Sequence, residues 1–175
     1  MSDFETAVYD SPIGFIEICA GNNKIYSLHF LNTSSQVAKN QVQESKVLSQ
    51  CFKELDKYFA KKRKVFEVAI ELVGTDFEKR VWQELRKIPF ACTISYKNLA
   101  LKLGDINKSR AVGCANGRNN IPLIIPCHRV IGEDGSLTGF TGGVERKAWL
   151  LKHEGALNEQ LEIFSQIREW NTPTR

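Results

Sequence analysis

Apolar and polar positions alternate along the first thirty residues. Glu5-Thr6-Ala7-Val8-Tyr9, Phe15-Ile16-Glu17-Ile18-Cys19-Ala20 and Lys24 to Leu31 are separated by Ser11-Pro12-Ile13-Gly14 and Gly21-Asn22-Asn23, so the stretch predicts an antiparallel meander with tight turns. A half-buried sheet needs a covering layer. Between Gln36 and Lys61, Val37, Val47, Leu48, Cys51, Phe52, Leu55, Tyr58 and Phe59 recur at helical spacing and predict a helix to supply it. After the basic cluster Lys61-Lys62-Arg63-Lys64, Val65 to Leu72 returns to β-type composition. Residues 1–74 therefore read as a small α+β domain, an antiparallel sheet with its helix.

From residue 75 the period becomes helical. Thr75-Asp76-Phe77-Glu78 has the form of a capping box, and Phe77, Val81, Trp82, Leu85 and Ile88 lie on one face of a helix that stops before Pro89. Phe90 to Thr93 reads as a connection. Ser95 to Leu103 reads as a short helix ended by Gly104, and a second begins near Asn107 and runs through Ser109-Arg110-Ala111-Val112-Gly113-Cys114-Ala115-Asn116. Two short helices across a glycine-containing turn have the layout of a helix-turn-helix. Val144 to His153 is expected as a helix with Trp149, Leu150 and Leu151 inward and Gly155 at its end, and Asn158 to Trp170 as a last amphipathic one. Residues 75–175 thus read as a second, mostly helical domain.

With 42% apolar content and 175 residues the chain is globular. No apolar run approaches the roughly 20 residues that a membrane helix needs, and the acidic first residues do not resemble a secretory signal, so a cytoplasmic protein is expected. The five cysteines, Cys19, Cys51, Cys92, Cys114 and Cys127, form no close pair. They read as reduced thiols without metal-ligand spacing. Residues 1–74 hold 9 Lys+Arg against 9 Asp+Glu, so the net charge of +4 comes from the remaining 15 against 11. Between Lys97 and Arg129 the basic residues Lys97, Lys102, Lys108, Arg110, Arg118 and Arg129 face only Asp105. Such a local excess suits a polyanion such as the phosphate backbone of DNA, although a solvated surface has the same composition.

The candidate chemistry lies in Ile121-Pro122-Leu123-Ile124-Ile125-Pro126-Cys127-His128-Arg129-Val130. Pro126 cannot donate from its backbone and biases Ile125 to extended geometry, so the thiol of Cys127 stands at a break in regular structure. A thiol reacts as its thiolate, with an unperturbed pKa of about 8.5, and imidazole or guanidinium groups nearby lower it. His128 and Arg129 are candidates for that effect. Taken alone, a cysteine is more often a small buried hydrophobe, so the reactive reading depends on its surroundings. One surrounding is the helix of Arg110, which presents Ala111, Gly113, Cys114 and Ala115 around a single long side chain. It can approach a narrow groove while reading few bases, and Arg110 can fill the gap left by an unstacked base; an ordinary hairpin with Arg110 in solvent is the alternative. Another is Leu137 to Gly143, whose three glycines permit close approach of a ligand or simply connect. A third is Glu154, a carboxylate in a last helical turn where the macrodipole disfavours it, which points to a compensating partner.

Pro126-Cys127-His128-Arg129-Val130, preceded by Ser109-Arg110-Ala111-Val112-Gly113 and Asn119 and followed by Gly142-Gly143 and Trp149 to Gly155, resembles the O6-alkylguanine-DNA alkyltransferases, the methylated-DNA–protein-cysteine methyltransferase family. The resemblance is specific from Phe77 to Gly155 and loose before it. It implies a ribonuclease H-like N-terminal domain and a C-terminal domain with a helix-turn-helix. It also implies a monomeric, single-turnover repair protein that binds double-stranded DNA carrying O6-alkylguanine in its minor groove, flips the base out and takes the alkyl group irreversibly. O4-methylthymine is a further candidate substrate. By the same resemblance Cys127 is the acceptor, His128 the base acting through a water, Glu154 the carboxylate that orients it, and Asn119 a member of that network. Tyr96 donates to the guanine ring, Arg110 replaces the everted nucleotide, Thr141 offers its amide to O6, and Lys147 lies near the pocket. Ser95, Ala111, Arg118 and Phe140 complete the DNA and substrate contacts, Phe140 standing where relatives can carry tyrosine. No cofactor is implied, and because the N-terminal zinc ligands of some members have no counterparts here, no zinc is expected. Alkyltransferase-like binding proteins lack the acceptor cysteine, which this chain has. A cysteine-sensing transcriptional regulator and a cysteine hydrolase built on Cys127, His128 and Glu154 are the other readings, and turnover separates the hydrolase.

Overall fold

The computed structural model describes residues 4–31 and 45–157. These fall into two compact units, one reaching to Thr75 and including Asn119–Ile125, the other Asp76–Arg118 with the chain from Pro126 onward. A single cut at 74/75 is thus crossed once more by the chain. Asn119–Ile125 belongs with the first unit because its backbone is anchored there: Leu28 N donates to Asn120 O at 2.8 Å, and Ile121, Leu123 and Ile125 are buried.

In the first unit β1 (Glu5–Ser11), β2 (Gly14–Gly21) and β3 (Lys24–Phe30) form the expected antiparallel meander in the order β1-β2-β3. Every second residue of β2 faces inward, with Ile16, Ile18 and Ala20 fully buried. Helix α1 (Lys46–Phe59) covers that face with Val47, Leu48, Cys51, Leu55 and Tyr58, and Ser45 caps it by accepting from Leu48 N. Burying a large apolar side chain of this kind stabilises by about 1.5–3 kcal/mol each, so the stripe rather than helix propensity holds α1 in place. The start of the expected 36–61 helix lies outside the described residues, as does the expected helix over 158–170. Val65 to Leu72 does not make a strand. It contributes one parallel bridge, Ile70 with Ile25, because only Ala69 O and Glu71 N meet β3 backbone.

The second unit holds α2 (Asp76–Leu85), β4 (Ile94–Ser95), α3 (Tyr96–Lys102), α4 (Ser109–Gly117), β5 (Val130–Ile131) and α5 (Val144–Glu154). Gly104, at φ +96, turns the chain out of α3, and a 3-10 turn over Ile106–Lys108 leads into α4. Helix α4 packs on α2 and α3; its inward residues are Val112, Ala115 and Asn116, and the indole nitrogen of Trp82 donates to Ala115 O at 2.8 Å. Strands β4 and β5 pair in parallel, Ile94 with Val130 and Ser95 with Ile131, a ladder that follows directly on the expected connection at Phe90 to Thr93. In α5 the fully buried positions are Lys147, Leu150 and Leu151, whereas Trp149 is half-buried and stacks on His153 at 4.8 Å. The inward place that periodicity assigns to Trp149 is not taken up, because its ring finds a flat partner one turn further along the helix.

Candidate active site

Pro126, at φ −80 and ψ 62, ends the apolar run and starts a single 3-10 turn over Cys127–Arg129. All three residues of the turn are buried, Cys127 with 4% of its surface exposed and His128 with none. Val130–Ile131 follows directly as β5, so the ladder to β4 fixes the turn against the residue that opens α3, Tyr96.

His128 Nε2 lies 2.9 Å from Glu154 Oε1. Arg129 wraps the same carboxylate, with Nε donating to Oε2 at 2.9 Å and Nη2 to Oε1 at 3.0 Å, while Nη1 donates to Ile88 O at 2.6 Å. Ala91 N approaches Oε2 at 3.4 Å. These are the compensating partners that a carboxylate at a helix C-terminus requires. Burial alone would push the Glu154 carboxyl up, but the hydrogen bonds and charges of His128 and Arg129 outweigh it and hold the group well below the usual carboxylate range. Burial pushes His128 down from its ordinary value, Glu154 pulls it part of the way back, and Arg129 and Lys147 oppose that pull. The pair therefore rests as a carboxylate and a neutral imidazole. Its proton is on Nε2, donated to Glu154, and its lone pair is on Nδ1, which is buried and has no hydrogen-bond partner among the described residues. An imidazole in that tautomer is a base ready to accept.

Tyr96 stands at the start of α3, which Ser95 caps by accepting from Asn98 N at 3.1 Å. The Tyr96 hydroxyl donates to Thr138 O at 2.9 Å, and burial raises its pKa above the ordinary phenol value. Lys147 donates to the same carbonyl at 2.6 Å and to Val130 O at 2.5 Å, with its nitrogen 5.7 Å from the centre of the Tyr96 ring. Burial lowers the Lys147 ammonium to about 8, and the charge of a Cys127 thiolate opposes that fall. Lys147 thus joins β5, the glycine-containing loop and Tyr96, and its positive charge is available to a thiolate. The Phe140 ring meets the His128 ring edge-on at 6.5 Å, and the Thr141 hydroxyl donates to Gly117 O.

The outward positions of α4 are Arg110, Ala111 and Cys114. Arg110 is exposed, and no ion pair engages it among the described residues. Arg118 is exposed too but meets Glu78 at 3.2 Å. The resemblance sets Asn119 in the His128 network. Its hydrogen bonds lie instead within its own segment, Nδ2 donating to Ile125 O at 2.9 Å and Oδ1 accepting from Ile121 N at 3.0 Å, so it holds the loop that precedes Pro126. Two contributors leave no clear mark in the sequence. One is Arg129 as a ligand of Glu154 rather than only a neighbour of the thiol. The other is Asn116, which is 1% exposed and donates from Nδ2 to Cys127 O at 3.3 Å. Its one signal is that it is the single polar residue on the inward stripe Val112, Ala115, Asn116.

The comparisons with known proteins bear on the family of the chain. Residues 76–156 match the family described as 6-O-methylguanine DNA methyltransferase, DNA binding domain, and residues 6–72 match the ribonuclease-like domain of the same proteins. A methylated-DNA–protein-cysteine methyltransferase of Methanosarcina acetivorans is 38% identical over 152 residues, 86% of this chain and 97% of that protein. This chain belongs to the 6-O-methylguanine DNA methyltransferase family. Within the family, a Mycobacterium tuberculosis methylated-DNA–protein-cysteine methyltransferase is 40% identical over 83% of this chain and 88% of its own length. The crystal structure of Mycobacterium tuberculosis OGT in complex with DNA aligns with a TM-score of 0.75 at 39% identity, covering 85% of this chain and 92% of that one.

Proposed function

We propose that Cys127 is the alkyl-accepting residue of this methyltransferase and that DNA repair proceeds by one irreversible alkyl transfer to it. The observation that carries the assignment is the His128–Glu154 contact: Nε2 lies 2.9 Å from Glu154 Oε1, and Nδ1 has no hydrogen-bond partner among the described residues, on the residue next to the buried thiol. In the reaction the Cys127 proton passes through a water to His128 Nδ1, and Glu154 with Arg129 stabilises the imidazolium that forms. The thiolate, balanced by Lys147, attacks the alkyl carbon from the side opposite O6. The S–C bond forms as the C–O6 bond breaks, and the electron pair goes to guanine. Tyr96 turns its hydroxyl from Thr138 to the departing ring and gives it the proton that makes neutral guanine, a proton that the His128 imidazolium returns to the phenolate through solvent, and the Thr141 amide supports O6 as charge develops. No step of this reaction regenerates the thiol, and none calls for a cofactor.

On the DNA side, α3 and α4 act as a helix-turn-helix in the minor groove. Arg110 occupies the stack vacated by the flipped nucleotide while Ser95, Ala111 and Arg118 contact the backbone and Phe140 lines the pocket. The exposed Arg110 on a helix whose other outward residues are Ala111 and Cys114 supports this reading. A monomer is the form proposed, and five cysteines outside any disulfide fit a reducing, cytoplasmic setting.

The test is intact and peptide mass after incubation with duplex containing O6-methylguanine. The expected result is one added methylene on the peptide of Cys127, at a stoichiometry of one per chain, and none in Cys127→Ser. Transfer surviving in Cys127→Ser would remove the assignment.

A further inference from the structure

The first domain is electrically neutral by count, yet its charges are segregated along the chain. Residues 46–64 hold Lys46, Lys53, Lys57, Lys61, Lys62, Arg63 and Lys64 against Glu54 and Asp56. The remaining residues up to 74 hold Lys24 and Lys39 against Asp3, Glu5, Asp10, Glu17, Glu44, Glu67 and Glu71. The fold gathers part of the basic set. Lys46, Ser49, Gln50, Lys53 and Lys57 follow one another along the outward side of α1, where they line an open pocket of about 450 Å³ closed on its other side by Arg63 and Glu67.

The pocket is built. Its floor is Glu54, 4% exposed, which accepts from Glu67 N at 2.8 Å, Val68 N at 3.1 Å and Gln50 Nε2 at 2.9 Å, and pairs with Arg63 Nη1 at 3.5 Å. These bonds hold residues 63–68 beside the helix. Ala60 and Lys61, the latter at φ +58, reverse the chain, and Lys62 N and Arg63 N both return to Lys57 O. Arg63 is committed to Glu54, Glu67 and Val65 O. Lys46, Lys53 and Lys57 are exposed and have no ion-pair partner among the described residues. Lys57 in the last helical turn complements the helix dipole, but Lys46 opens the helix, where the dipole disfavours a cation, and Lys53 lies at its middle, where a cation gains little from it. Three unpaired ammonium groups on one ridge, spaced over about three helical turns, suit a ligand with successive negative charges rather than a single ion.

We propose that this ridge of the N-terminal domain is a second, lesion-independent site for the phosphodiester backbone of duplex DNA. The α1 lysines contact successive phosphates, while hydrogen bonds from Ser49 and Gln50 fix their approach. The partner is chosen as DNA because the protein works on that polyanion; an acidic protein surface is the competing occupant.

The experiment compares the full wild-type chain with Lys46→Gln/Lys53→Gln/Lys57→Gln and with the corresponding triple Lys→Arg variant. Binding to an undamaged duplex is measured across a salt series, and methyl transfer from the free base O6-methylguanine is measured in parallel. The slope of log affinity against log salt should shrink by about two to three in the Gln variant, close to one for each phosphate that is no longer neutralised, and be restored by Arg. Free-base transfer and melting temperature should be unchanged. An unaltered salt slope in a folded, transfer-competent Gln variant would overturn the proposal and leave the ridge to an acidic protein. Absence of free-base transfer in the wild type itself would instead count against the acceptor assignment.

Discussion

Glu154 Oε1 is shared by His128 Nε2 at 2.9 Å and Arg129 Nη2 at 3.0 Å, so one buried carboxylate holds both residues that follow Cys127. Replacing it with Gln leaves the Arg129 guanidinium without a counter-charge in a buried place. Glu154→Gln is expected to lower stability by about 3–5 kcal/mol. Transfer from the free base should slow as well, since an amide stabilises an imidazolium poorly. Denaturant unfolding and single-turnover kinetics measure the two effects, and a variant of unchanged stability would show that the carboxylate is not structurally committed.

Acid should destabilise the fold through the same cluster. His128 has a folded value below the ordinary one of about 6.5, so within that interval the unfolded chain binds the extra proton and stability falls as pH falls. Glu154, held well below its ordinary value, acts in the same direction: its contribution is complete above about pH 4.3 and is lost at lower pH. Thermal denaturation should show a melting temperature that declines steadily from neutral pH downward. A flat profile would contradict the buried neutral imidazole.

Arg110→Ala and Asn116→Ala should separate DNA handling from acceptor positioning. Arg110 is exposed and distinct from the His128 cluster, so its loss should slow transfer from duplex by about tenfold or more, equivalent to about 1.4 kcal/mol, and spare the free base. Single-turnover rates on the two substrates measure this, and an equal slowing of both would contradict the role in the stack.

Asn116 holds the Cys127 carbonyl from inside α4 beside the Val130 amide that bonds the same oxygen, so its removal takes away one of two hydrogen bonds at a cost of about 0.5–1.5 kcal/mol. Asn116→Ala should therefore slow both substrates alike. A loss confined to duplex would place Asn116 with the DNA contacts instead.

Gly139→Ala addresses the pocket wall. The residue is at φ +68, and a Cβ there would stand 2.7 Å from the Tyr96 hydroxyl oxygen, so the phenol must leave Thr138. Beyond a backbone penalty of about 1 kcal/mol, free-base transfer should fall with the loss of Tyr96 placement, and Tyr96→Phe should remove most of that additional effect.

The helices and the meander were legible because each repeats its apolar period over several turns or strands, as Val81, Trp82 and Leu85 do in α2 and Ile16, Ile18 and Ala20 in β2. Cys127, His128 and Glu154 were legible as a set through the resemblance, and the contact of His128 with Glu154 now has a distance. The β4–β5 ladder was not, since two residues on each side carry no alternation to detect. Val65 to Leu72 had the composition of a strand but meets β3 at a single position. Lys147 lies in complete burial against the usual habit of lysine, which the two carbonyls around its nitrogen explain. The departure of Asn119–Ile125 to the first unit is likewise a matter of distant backbone partners, Leu28 above all, and leaves no local trace.

The short parallel ladder has a consequence for how such a protein can diversify. Because main-chain pairing of β4 with β5 sets Tyr96 against the Cys127 turn, the spacing of these two residues rests on backbone rather than on the side chains around them. Substitutions on the surrounding loops then leave that separation in place, so the neighbourhood of the two residues is free to vary while their distance is held.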